Sequence, residues 1–195
     1  MSILLIVAHP KLDESRVNKR LLKEAEAISQ IKIHDLYACS PNDEIDIQRE
    51  QNLLLEHDLI IFQHPLYWYS VPFLLKKWHE KVLIDGWAYG AEKKLKGKSF
   101  LHAITCGSAK KSYQHEGAFK YTYEEFLRPI EGIARFLGVE TLPYFIVDNT
   151  HRISDETLEA AAHSYSQCLK RLAEPESTIQ SREFSRKNEG FEKYR

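Results

Sequence analysis

Cysteine and glycine are both scarce in this chain. Its 195 residues include three cysteines and eight glycines. Cys39, Cys106 and Cys168 are too few and too scattered for a disulfide framework or a zinc site, and their odd number is typical of a reducing compartment. We therefore expect neither a disulfide nor a bound metal.

The chain also lacks a strong charge of either sign and any long hydrophobic run. Its formal net charge is −1 and its isoelectric point is near 6.8, so nothing favours nucleic acid or an anionic membrane surface as a partner. The apolar stretch 3–8 has no basic segment before it and is too short to span a bilayer. We expect a cytoplasmic protein that does not bind nucleic acid.

Apolar residues alternate between two patterns along the chain. Continuous or alternating runs predict strands at 2–8, 31–36, 59–62, 100–105 and 139–147. Helical spacing predicts helices at 15–30, 47–56, 71–84, 123–137 and 154–173. Strands that alternate with helices imply right-handed crossovers. The prediction is an α/β fold, with a five-stranded parallel sheet and helices on both faces.

The pattern ends near residue 173. The segment 174–195 is charged and poor in aliphatic residues, a composition that does not support a packed core. We expect one domain over 1–173, followed by a charged C-terminal tail.

The turn after the first strand contains no glycine. Neither a dinucleotide fingerprint nor a P-loop is therefore present. It still precedes a helix N-terminus, which is where an open α/β sheet binds phosphate. Ser15 could cap that helix, while His9, Arg16 and Asn18 could supply donors or charge. The alternative is an ordinary helix cap with His9 on the surface.

Aromatic residues follow the buried third strand. The segment Pro65, Leu66, Tyr67, Trp68 and Tyr69 lies where a polar turn would be usual. Rings at this edge of a sheet could stack on a flat heterocycle, and backbone amides could reach its polar rim. The alternative is that the rings form core packing or an oligomer contact.

The fourth strand ends in small residues, Thr105, Cys106, Gly107 and Ser108. Gly107 would permit a close backbone approach, and the hydroxyls of Thr105 and Ser108 could bind a ligand. Cys106 is better explained as a small residue that fills the strand end than as a redox group. Together, the three segments indicate a site for a planar ligand that carries phosphate.

These motifs resemble the flavodoxin-like NAD(P)H:quinone oxidoreductases. The resemblance is closest to the ancillary subunits of glutathione-regulated potassium-efflux systems. It is carried by His9-Pro with Ser15 and Asn18, by the segments 63–70, 74–78 and 86–90, and by Thr105-Cys-Gly-Ser108. Shorter matches at 35–37, 45–47 and 50–51 resemble the same subgroup, and the resemblance covers about residues 1–173.

The resemblance implies a flavodoxin-like fold and assigns roles to the three segments. His9 and the run Ser15, Arg16, Val17 and Asn18 would hold the flavin phosphate. The segments Leu66 to Tyr69 and Thr105 to Ser108 would line the flavin ring.

Tyr113 matches a catalytic tyrosine that stabilises charge on the reduced flavin in quinone reductases. The histidine that accompanies it there has no aligned counterpart, since His115 is out of register. Cys106 and Ser108 also replace a threonine and a glycine of the usual motif.

The resemblance further implies FMN as cofactor, with FAD as the alternative, NAD(P)H as co-substrate and a quinone as acceptor. It implies a homodimer and a membrane potassium-efflux transporter as partner, which would place the protein at the inner face of the cell membrane. Two other functions stay open. One is a purely regulatory subunit with little or no turnover. The other is an electron carrier of the flavodoxin type, which the chain fits less well because it has neither a Ser/Thr-Gly phosphate loop nor a markedly acidic composition.

Overall fold

A computed structural model of the chain describes residues 1–174. Six strands are present in this range: β1 (Ile3–Val7), β2 (Ile31–Asp35), β3 (Leu59–Pro65), β4 (Ser99–Thr105), β5 (Glu140–Thr141) and β6 (Phe145–Val147). The helices are α1 (Arg16–Glu26), α2 (Leu36–Cys39), α3 (Ile47–Glu56), α4 (Phe73–Val82), α5 (Tyr123–Leu137) and α6 (Asp155–Ala173). Short 3₁₀ turns lie at Leu12–Glu14, Pro41–Asp43 and Lys110–Ser112. The predicted tail lies outside the described residues from 175 onward.

The strands form one parallel sheet in the order β2-β1-β3-β4, with β5 and β6 both paired to β4 at the edge. In β1, Ile3 lies opposite Ile31 of β2 and Leu59 of β3. Every residue of β1 and of β3 is buried, as expected for strands covered on both faces. The predicted α/β fold with a five-position parallel sheet is confirmed.

Alternate residues of β1 pack into two hydrophobic cores, one on each face of the sheet. Leu4 and Ile6 pack into the core that α3, α4 and α5 cover. Ile3 and Leu5 pack into the other core, which α1 and α6 cover. The continuous apolar run therefore reflects burial on both faces, because successive side chains of a strand point to opposite sides.

The last predicted strand, 139–147, is interrupted. β5 and β6 are separated by a short segment in which the N–H of Leu142 donates to the carbonyl of Phe100 on β4 (2.8 Å). Pro143 follows and has no N–H to continue the pairing. A single strand was predicted because a proline at a sheet edge leaves the hydrophobic pattern intact.

Several helix ends differ from the sequence expectation. α1 stops at Glu26, before the predicted limit of 30, and α2 lies where no helix is predicted. α4 begins after the predicted start at 71, with Pro72 as its N-cap. α5 ends at Leu137 as predicted, with Gly138 as a left-handed C-cap (φ 72°). None of the helices within residues 1–174 is long and apolar enough to cross a membrane.

A buried carboxylate joins β2, α3 and α4. Glu50 is fully buried and accepts hydrogen bonds from Trp78 Nε1 (2.9 Å), His34 Nε2 (2.9 Å) and Arg49 Nη2 (3.0 Å). Burial alone would raise the pKa of this carboxyl, but the hydrogen bonds and the charge of its partners outweigh burial and lower it. A lowered pKa means that the ionised carboxylate stabilises the folded state.

We expect Glu50→Gln to lower the free energy of unfolding by about 2 kcal/mol at neutral pH, because the amide leaves buried donors unpaired. The loss should shrink as the pH falls through the lowered pKa, where Glu50 itself becomes protonated. Urea unfolding at several pH values tests this. Glu56→Gln, at the exposed end of α3, is the matched control. An equal effect of both changes would contradict the role of the network.

Candidate functional site

A cavity of about 500 Å³ opens at the carboxyl ends of β1, β3 and β4, the usual ligand position of an open α/β sheet. It brings together these predicted site residues: His9, Ser15, Arg16, Val17, Asn18, Pro65, Leu66, Tyr67, Thr105, Gly107, Ser108 and Tyr113. Four other lining residues were not predicted: Lys11, Glu14, Thr150 and His151. Trp68, Tyr69 and Cys106 are not among the residues that line it.

The N-terminus of α1 forms one end of the cavity. Ser15 caps the helix by accepting a hydrogen bond from the N–H of Asn18 (3.2 Å), which confirms the predicted cap. The first N–H groups of a helix have no partner within it, so those of Arg16 and Val17 are available. Together with the helix dipole they favour an anion at this end.

Two side chains expected to act as free donors are used within the protein. Arg16 donates from Nη1 to the carbonyl of Ile153 (2.8 Å) and pairs with Asp155 at the start of α6. Asn18 donates from Nδ2 to the hydroxyl of Thr105 (2.9 Å). The expectation was incomplete because sequence does not show that α1 packs beside α6. Both side chains position the helix relative to the site.

His9 is half-buried and presents one donor. Its Nδ1 accepts a hydrogen bond from the N–H of Lys11 (3.1 Å). Burial lowers the pKa of the ring, against smaller opposing effects from Asp35 and from the Lys11 hydrogen bond. A neutral ring that accepts at Nδ1 carries its proton on Nε2. His9 therefore supplies an uncharged N–H donor.

The aromatic segment after β3 folds into a tight turn. Tyr67 and Ser70 exchange two backbone hydrogen bonds (2.9 and 3.0 Å). Between them Trp68 (φ 49°) and Tyr69 (φ 62°) both adopt the left-handed conformation, as in a type I′ turn. Neither residue is glycine, so each costs about 1–2 kcal/mol of conformational energy.

Trp68 and Tyr69 of this turn do not line the cavity. The ring of Trp68 is 93 % exposed, and the ring of Tyr69 stacks on Phe126 with centroids 4.5 Å apart. Tyr67 alone of the three rings lines the cavity. The proposed stacking role of Trp68 and Tyr69 thus stays a prediction, and what they offer within this chain is backbone N–H groups.

Cys106 is fully buried behind the loop that follows β4. Burial raises the pKa of its thiol to about 12, so it is a neutral space-filling group and a poor nucleophile. Tyr113 lies on the cavity side and stacks on Tyr123 with ring centroids 4.2 Å apart. Burial, with the neighbouring Cys106, raises the pKa of Tyr113, so its hydroxyl stays protonated.

A second histidine at the cavity, besides His9, comes from a loop that sequence reasoning did not consider. His115 Nε2 lies 3.7 Å from Glu125 Oε2, and His115 is not among the residues that line the cavity. His151, between β6 and α6, lines the cavity beside Thr150. The sequence could have indicated His151 through its position just after a strand, since every parallel strand of the sheet ends at this edge.

The donor set fits a phosphorylated flavin. The N-terminus of α1 offers N–H groups to an anion, and Leu66, Tyr67 and Tyr113 in the same lining are available to a flat ring. Asn18 Oδ1 is buried and has no hydrogen-bond partner within residues 1–174, so it can accept from a ligand hydroxyl such as those of a ribityl chain. The described residues contain no cluster of three or more potential metal ligands.

We expect Trp68→Asn to raise the free energy of unfolding by about 1 kcal/mol. Asparagine tolerates the left-handed conformation, and an almost fully exposed ring loses little packing. Guanidinium unfolding measures the change. Phe73→Asn also removes an exposed ring, at a residue that is not among those with positive φ, and should bring no gain. A Trp68→Asn variant that is less stable than wild type would show that the ring has a partner in solution.

Comparison with known proteins supports the same fold. A family model described as flavodoxin-like fold matches residues 1–169. The chain is 42 % identical over 171 residues to the uncharacterized NAD(P)H oxidoreductase YrkL of Bacillus subtilis, covering 87 % of this chain and 98 % of that protein. It is 42 % identical over 168 residues to the potassium-efflux ancillary protein KefF of Klebsiella aerogenes, covering 86 % and 94 %.

Solved structures agree with this comparison. The general stress protein 14 of Treponema denticola, determined in complex with FMN, superposes with a TM-score of 0.84 at 34 % identity, covering 88 % of this chain and 99 % of that one. An NADPH-quinone reductase from P. pentosaceus gives 0.80 at 32 % identity, covering 86 % and 97 %. The resemblance read from the motifs is confirmed. The chain belongs to the flavodoxin-like fold family, with NAD(P)H oxidoreductases among its relatives.

Proposed function

We propose that this protein is an FMN-dependent NAD(P)H:quinone oxidoreductase. The observation that carries the proposal is the cavity itself, which joins an anion-binding helix end to a partly aromatic wall within about 500 Å³. This volume lies within the usual range of cofactor sites. The FMN complex of a relative that is 34 % identical supports the choice of cofactor.

The residues of the cavity divide into two groups. The N–H groups of Arg16 and Val17, the Ser15 hydroxyl and His9 Nε2 would hold the phosphate. Leu66, Tyr67 and the loop from Thr105 to Ser108 would line the ring. The hydrogen bond from the N–H of Leu66 to the carbonyl of Thr105 (2.8 Å) holds these ring-lining segments together.

Bound FMN would supply the redox chemistry, taking a hydride from NAD(P)H and passing two electrons to a quinone. The chain supplies position and polarity. Tyr113 keeps its proton because burial raises its pKa, so it can donate a hydrogen bond toward negative charge that develops at the ring. Neutral donors in a partly enclosed site stabilise such charge better than water does.

A second function is favoured by the similarity to KefF, a potassium-efflux ancillary protein. We propose that the chain is also a regulatory subunit of such a transporter, acting as a homodimer in the cytoplasm at the inner face of the membrane. Exposed aromatic residues support a protein contact: Trp68, Phe73 and Tyr121 are 93 %, 65 % and 55 % exposed. Large exposed aromatics are enriched at interfaces.

Visible absorption of the purified protein tests the enzymatic proposal. Added FMN should give the spectrum of bound oxidised flavin, which anaerobic NADPH or NADH should bleach and a quinone should restore. Free flavin that stays unbound and unbleached would contradict it.

Tyr113→Phe should lower kcat for quinone reduction about tenfold and leave FMN affinity unchanged, because the lost hydroxyl would stabilise charge that develops on the ring only during turnover. The ratio of the wild-type kcat to the Tyr113→Phe kcat should stay constant between about pH 6 and 9, since the raised pKa of Tyr113 keeps its hydroxyl protonated. Tyr121→Phe, at an exposed ring, is the control. Equal rates for wild type and Tyr113→Phe would remove Tyr113 from the catalytic step.

Measuring potassium efflux in cells that carry variants of this protein distinguishes the proposed regulatory role from the proposed enzymatic one. Ser15→Ala removes the cap of α1 and should weaken FMN binding at a cost of about 1 kcal/mol in stability. If transporter activation survives in a variant without turnover, the regulatory role stands independently. If no variant and no wild-type protein activates the transporter, that role is wrong and the enzymatic one is unaffected.

A further inference from the structure

The loop between β6 and α6 forms an additional wall of the cavity through Thr150 and His151. It is attached to the loop that follows β4 by two backbone hydrogen bonds. The N–H of Thr150 donates to the carbonyl of Cys106, and the N–H of Asn149 donates to the carbonyl of Ser108 (both 3.0 Å). Asn149 adopts φ 54°, a conformation that asparagine tolerates. The backbone around His151 is therefore well fixed.

The imidazole of His151 lies directly on the main chain of Gly107. A Cβ atom at position 107 would be 2.5 Å from His151 Nε2 and 2.7 Å from Cδ2, so an alanine there would displace the ring. On the other side, the carbonyl of Ile153 accepts a hydrogen bond from Arg16 (2.8 Å). The loop thus connects Gly107 to the first residue of α1, at the anion-binding end of the cavity.

The charged side chains at this end are already paired. Lys11 and Glu14 form an ion pair (3.3 Å), and Arg16 pairs with Asp155. His9 stays neutral because burial lowers its pKa. His151 is exposed, and neither of its ring nitrogens makes a hydrogen bond within the described part of the chain. It is thus a cavity-lining group that can still donate a hydrogen bond to a phosphate oxygen.

We infer that His151 is a phosphate-binding residue of the flavin site and that it sets the preference of this protein for FMN over riboflavin. The inference rests on the proposed function, because it assumes that the cavity holds the flavin. The dipole at the N-terminus of α1 alone compensates about half a charge. His151, in the loop between β6 and α6, would add a side-chain ligand for the phosphate. Gly107 is required, on this account, to leave room for the imidazole.

Equilibrium binding of FMN and of riboflavin, followed by quenching of flavin fluorescence, tests the inference. His151→Gln should weaken FMN binding about tenfold, the loss of a charge-assisted hydrogen bond, and leave riboflavin binding unchanged. His115→Gln removes an exposed histidine outside the cavity and should change neither affinity. His151→Arg should restore most of the FMN affinity, and added salt should reduce the difference between wild type and His151→Gln.

Two results would overturn the inference. An unchanged ratio of FMN to riboflavin affinity in His151→Gln would show that the ring does not bind the phosphate. An equal loss for both ligands would show that it only packs against Gly107. Failure of the wild-type protein to bind either flavin would instead reject the proposed function, and this inference with it.

Discussion

The parallel pairing of β1, β3 and β4 determines where every part of the site lies. Val7 pairs with Gln63, and Pro65 pairs with Thr105, so the three strands end at one edge. Hydrogen bonds continue past the strand ends, from the N–H of Ala8 to Gln63 (2.9 Å) and from that of Leu66 to Thr105 (2.8 Å). The order of the strands in the sheet therefore sets the order of the loops. Because these loops meet at one edge, the cavity lies there.

The site relies on backbone groups and neutral donors more than on charged side chains. Its charged lining residues are paired with each other or with α6, and the buried bond between Asn18 and Thr105 fixes α1 against the loop after β4. On the proposed function, this arrangement would replace the glycine-rich turn of other nucleotide-binding folds, because an anion would meet helix N–H groups without a close approach of the turn. Fixed neutral dipoles require little reorganisation when a ligand binds.

Much of the fold could be predicted because burial on both faces leaves unmistakable apolar runs, as in 3–7 and 59–62. The meeting of the three segments at one cavity could be predicted because they follow such runs directly. The exposure of Trp68, the pairing of Arg16 with Asp155 and the position of His151 at the cavity could not. Each depends on contacts between residues distant in sequence, which local pattern and propensity do not record.

Backbone amide shifts in a ¹H–¹⁵N spectrum, recorded as FMN is added, test most directly whether the four loops form one flavin site. The account predicts large, saturable shifts for Arg16 and Val17, for Trp68 and Tyr69, and for Gly107 and His151, all with one affinity. Shifts confined to the smaller cavity around His79 and Phe136, with the amides of α1 unchanged, would contradict it.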